Sequence, residues 1–86
     1  MASYEILIKP SAARELEGID GRKNRQRVVD RILALAKAPR PPGCMRLTGR
    51  EGYRVRQGTF RILYEVDDGE RTVTFFRIGH RRDVYE

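Results

Sequence analysis

Arg54, Arg56 and Arg61 fall in one short stretch, and the chain ends RIGHRRDVYE over residues 77–86, which adds His80, Arg81, Arg82 and Tyr85. These side chains suit the handling of an anion. A guanidinium grips phosphate through paired donors and stacks on nucleobases. A tyrosine ring stacks on a base. Histidine is the residue type that titrates nearest neutrality, and His80 is the chain's single example. The alternative reading for each is a solvated charge on an open sheet face or a frayed tail.

The balance of charge supports the first reading. The net charge is +6 over 86 residues, which favours a polyanionic partner such as nucleic acid or an acidic protein. Arginine supplies 15 of the 18 basic residues, and from Arg46 onward there are nine arginines and no lysine. A GC-rich genome would favour arginine throughout but would not decide where the arginines sit. Cys44 is the single cysteine, so no internal disulfide forms, and its neighbours Gly43 and Met45 give it no base; it reads as a packing residue. One cysteine and one histidine make no zinc site, and no metal or cofactor is expected. The start, YEILI, is too short for a secretory signal, and no apolar run approaches a membrane span, so a cytoplasmic protein without membrane contact is expected.

The elements that must position these residues follow from periodicity. SYEILIKP alternates as a first strand, and Ser11 suits the cap of a helix that puts Ala12, Leu16 and Ile19 on one face. RKNRQRVVDRILALAKA is a second, longer helix, with Val28, Val29, Ile32, Leu33, Leu35 and Ala36 on one side. Pro39, Pro41 and Pro42 end it. CMRLTG is a short strand candidate, GYRVRQGTFRILYEV reads as two strands joined near Gln57-Gly58, and DDGE leads to a last strand, RTVTFFRI. The expected fold is a single two-layer α+β domain over 1–86: one N-terminal strand, two helices, then an antiparallel sheet.

Strand alternation then assigns faces. Tyr53 and Val55 share one side of their strand, with Phe60, Ile62, Tyr64 and Val66 on the matching side of the next. Arg54, Arg56 and Arg61 take the opposite, open side. Like charges opposed across a sheet are destabilising, so the patch makes sense if an anion fills it. The end of the chain leaves a neighbouring strand, so His80, Arg81 and Tyr85 are expected to complete the same cationic patch.

LTG…GYRVRQGTFRILYEV followed by FFRIGHRRDVYE resembles the RelE/ParE toxin superfamily of type II toxin–antitoxin systems, closest to its RelE-type mRNA interferases. The resemblance extends over nearly the whole chain and implies the same strand–helix–helix–sheet fold. RelE-like members cleave mRNA in the ribosomal A site without a metal; ParE-like members inhibit DNA gyrase. It implies that Arg61 binds the scissile phosphate, that Arg81 acts at the phosphate or leaving group, and that Tyr85 stacks on a base. Arg54 and Arg56 stand where the best-known subgroup has two lysines; they can hold RNA but cannot act as a base, which leaves the general base unassigned, with His80 as a candidate. The implied partners are a cognate RelB-like antitoxin, mRNA on the ribosome, and operator DNA through the antitoxin complex. A ParE-like gyrase inhibitor and a non-catalytic component of an antitoxin–DNA complex are the alternatives.

Overall fold

The computed structural model of the protein describes residues 3–80. Its elements are β1 (Glu5–Ile8), α1 (Pro10–Glu17), α2 (Arg22–Lys37), β2 (Met45–Arg46), β3 (Tyr53–Gln57), β4 (Phe60–Asp67) and β5 (Thr72–His80). They make the expected α+β arrangement. The strands form one sheet in the order β1-β5-β4-β3-β2. The last four strands pair antiparallel, while β1 adds a parallel edge against β5.

The boundaries have local causes. α1 starts at Pro10, whose missing N–H costs nothing in a first helical turn. Lys9 holds the cap position in the extended conformation that a following proline favours, so Ser11 lies inside the helix instead of capping it. α2 ends at Lys37, and its C-cap Ala38 leaves the helical region, as the following Pro39 requires. Gly58, at φ 62°, takes the first position of the two-residue turn joining β3 to β4.

The helices cover one sheet face. Ala12, Val28, Ile32 and Leu35 pack on Val55, Ile62, Tyr64, Val73, Phe75 and Ile78. Burying a large apolar side chain of this kind contributes about 1.5–3 kcal/mol. The stripe on α2 is narrower than its periodicity suggests, because Leu33 remains 53% exposed. Tyr64 is fully buried, and its hydroxyl donates to the Pro39 carbonyl at 2.6 Å. That bond ties the loop after α2 to the sheet, and burial pushes the Tyr64 phenol above its ordinary range.

Beside this bond, the next residue of the loop, Arg40, reaches the Asp68 carboxylate with its guanidinium at 3.2 and 2.8 Å. Arg40 Nε also donates to the Tyr53 hydroxyl at 2.9 Å, and the Tyr4 hydroxyl donates to Asp68 at 2.6 Å. The Arg40 hydrogen bond, then that of Tyr4, holds the Asp68 carboxyl below the usual carboxylate range. Its carboxylate in turn raises the Tyr4 phenol.

One irregularity decides where the end of β5 points. Leu63 pairs with Arg77, but Tyr64 pairs with Phe75, so Phe76 is an extra residue in β5. A bulge reverses the alternation beyond it. Phe75 and Ile78, three residues apart, consequently both enter the core, while Phe76 packs on the other face with Leu47 and Leu63.

Candidate functional site

Three of the expected residues share the face away from the helices. Arg54 stands opposite Leu63, and Arg56 stands opposite Arg61, in the β3–β4 register. On its other side Arg61 pairs with Gly79, which brings no side chain to the row. Arg56 is exposed and Arg61 half-buried, with its Nε enclosed. Arg54 donates to the Met45 sulfur at 2.9 Å. The row Arg56–Arg61–Gly79 therefore sets two guanidiniums side by side next to a position that carries no bulk. Two cations so placed raise the local potential and favour an anion between them.

His80 does not share this face, contrary to the expectation that it joins the arginine patch from a neighbouring strand. It pairs with Phe60, a core-packed residue, and their rings meet edge-on at 5.9 Å. The bulge at Phe76 is the reason: it turns Ile78 and His80 toward the helices. There His80 lines a cleft of about 610 Å³ between the end of the sheet and the α1–α2 turn, together with Ile19, Asn24 and Phe60. In the same region Glu15 accepts the Ile78 N–H at 3.0 Å and lies 3.4 Å from the Arg77 guanidinium, covering the β5 edge beyond the end of β1. Arg81 and Tyr85 lie outside the described residues.

Sequence reading missed Arg50. The loop from Leu47 to Gly52 closes on itself through the Leu47 N–H to the Gly52 carbonyl at 3.0 Å. Gly52, at φ 131°, runs so close to β4 that a Cβ there would meet the Tyr64 carbonyl at 2.8 Å. This approach lays Arg50 across the open face, 3.0 Å from Glu65 and with its guanidinium carbon 4.0 Å from the Phe76 ring centre. The paired glycines at 49 and 52 signal a loop, but no local pattern signals a reach from the β2–β3 connection to β5.

Among the described residues, no group of three or more His, Cys, Asp and Glu side chains is placed to hold a metal ion, and no helix is long and apolar enough to cross a membrane.

Comparison with known proteins places this fold in a family. A family model described as the ParE toxin of type II toxin–antitoxin systems, parDE, matches residues 6–85. Toxin RelG of Mycobacterium tuberculosis is 46% identical over 33 residues, a match that spans 38% of this chain and 38% of that relative. The structure of the toxin–antitoxin complex RelBE2 from Mycobacterium tuberculosis superposes with a TM-score of 0.79 at 28% identity, covering 93% of this chain and 100% of that one. The archaeal RelE–RelB complex from Pyrococcus horikoshii gives 0.79 at 19% identity, over 96% and 100% of the two chains, a likeness of fold. With a family match running through every strand and helix described above, the chain belongs to the ParE toxin family of type II toxin–antitoxin systems, within the RelE/ParE superfamily.

Proposed function

We propose that the protein is the toxin of a type II pair and inhibits translation as an endoribonuclease acting on mRNA in the ribosomal A site. The observation that carries this reading is the opposed Arg56–Arg61 pair, with Arg54 beside it, on the sheet face away from the helices. In the reaction, a ribose 2′-oxygen attacks the adjacent 3′-phosphate and gives up its proton. The bond to the next 5′-oxygen breaks, and that oxygen takes up a proton. The products are a 2′,3′-cyclic phosphate and a 5′-hydroxyl.

The work of the site is largely electrostatic and positional. Arg61 clamps the scissile phosphate, and Arg54 and Arg56 hold the strand and offset charge on the pentacoordinate phosphorus. Guanidinium does not deprotonate at working pH, so none of the three serves as a base. Arg81 acts at the phosphate or leaving group, and Tyr85 stacks on a base beside the cut. His80 contributes from the helix-facing side of β5. A RelB-like antitoxin with acidic groups neutralises the arginine face, and operator DNA is engaged through that complex in the cytoplasm.

ParE-like inhibition of DNA gyrase is the second reading, favoured by the description of the matching family. One pair of assays separates the two. The purified chain, freed of antitoxin, should cut mRNA on programmed ribosomes, with EDTA added to levels that leave the ribosomes intact, and leave a 5′-hydroxyl. Intact mRNA together with arrested gyrase supercoiling would replace the first reading by the second.

A further inference from the structure

Arg50 lies apart from the β3–β4 arginine row, in the loop before β3, between a carboxylate and an aromatic ring. Its Nη2 lies 3.0 Å from the Glu65 carboxylate, so the charge is met within the fold. A phosphate approaching Arg50 would also approach Glu65. The guanidinium carbon, however, lies over the Phe76 ring, 4.0 Å from the ring centre. The side chain is still 51% exposed. Phe76 is itself fixed in the small cluster with Leu47 and Leu63. The result is a flat group held from below by a ring, held at one edge by a carboxylate, and open to solvent. Such a plane stacks on a nucleobase, because a guanidinium and a base present matching π-faces.

Its position suits a base next to the cut. Phe76 packs against Leu63, and Leu63 is two residues along β4 from Arg61, about 7 Å of strand. That is the reach of one extended nucleotide.

From this juxtaposition we infer that the Arg50–Phe76 pair is a nucleobase platform, which stacks a base neighbouring the phosphate held by Arg61. The inference rests on the RNA-cleaving reading above and adds a positioning residue to it. The platform recognises the flat face of a base, so it fixes the path of the strand without reading sequence strongly.

The test uses a short oligoribonucleotide carrying a 2′-deoxy sugar at the cut position, which removes the attacking hydroxyl. 2-Aminopurine is placed at each position in turn, and binding is measured at low salt. Wild-type protein should quench 2-aminopurine at a position flanking the cut, and Arg50→Gln should lose that quenching. An abasic nucleotide at the same position should weaken wild-type binding about tenfold, as expected for a lost stacking contact. Arg50→Gln should bind the intact and abasic strands alike. Phe76→Leu keeps an apolar residue in the cluster and should behave as Arg50→Gln does, while Arg50→Lys keeps the charge and should recover little. Arg50→Gln weakening intact and abasic strands by equal factors would overturn the platform, because Arg50 would then act on phosphate or on the loop alone. Wild-type binding that is lost in Arg61→Ala but shows no abasic penalty at any position would sink the platform and leave the RNA reading standing. A wild-type protein that binds no strand at all would overturn the RNA reading and the platform with it.

Discussion

Arg40 points both terminal nitrogens at Asp68, whereas Arg61 faces Arg56 across the β3–β4 ladder. The two arginines lie in the same small domain and serve opposite ends. The Arg40 group joins the loop after α2 to the β4–β5 turn and to Tyr53, so its charge is absorbed in holding the fold together. Because the pair is exposed, it stabilises only modestly. In the Arg56–Arg61 row two cations are neighbours across the ladder, an arrangement that raises the local potential and favours an approaching anion. Charge count alone would treat the two alike. Position separates them: Arg40 reaches Asp68 at the β4–β5 turn, whereas Arg61 stands beside Arg56 within the ladder.

The largest effect expected from breaking this contrast is on activity. Arg61→Ala should slow RNA cleavage by about a hundredfold or more, the loss typical of a charged donor at a reacting centre. Its denaturation midpoint should stay near that of wild type, since no core residue is touched. A large drop in midpoint would instead make Arg61 a structural residue. Rates on programmed ribosomes and an equilibrium denaturation curve check the two halves of this expectation.

A smaller effect is expected at His80. The bulge turns this ring toward Phe60 and away from the arginine row. His80→Gln should therefore cost less than tenfold in cleavage rate, well below Arg61→Ala. A loss equal to that of Arg61→Ala would place the histidine in the chemistry and require the end of β5 to present it to RNA.

The bulge also marks the limit of what the sequence shows. Val55 against Arg54 and Arg56, and Ile62 against Arg61, are legible because alternation holds over short regular strands. In TVTFFRIGH the consecutive Phe75 and Phe76 fit either face, and nothing local says that one residue is extra. The parallel pairing of β1 with β5 is equally hidden, since it joins segments from the two ends of the chain. Arg40 and Asp68 stand 28 residues apart, and Arg50 reaches Phe76 only because Gly52 lets the loop approach β4. These contacts depend on tertiary placement, which spacing in the sequence does not encode.

The smallest expected effect is on the other arginine setting. The Asp68 carboxyl is held below its ordinary range in the folded protein, chiefly by the hydrogen bond from Arg40. Its contribution is complete above the ordinary carboxylate value of about 3.9 and is lost as pH falls through the lower folded value. Wild type should accordingly lead Asp68→Asn slightly in denaturation midpoint at neutral pH, with the gap closing in acid. Cleavage per folded molecule should be the same in both. A gap that is constant down through the acid range would assign the loss to shape instead of charge.

The most direct measurement compares three proteins by thermal denaturation, with and without the uncleavable 2′-deoxy oligoribonucleotide. A ligand that binds only the folded state raises the midpoint by an amount set by its affinity. Wild type should be raised by the strand. Arg40→Ala should start from a lower midpoint and gain the same increment. Arg61→Ala should start near wild type and gain little. An equal increment in Arg61→Ala and wild type would contradict the assignment of the arginine row to RNA.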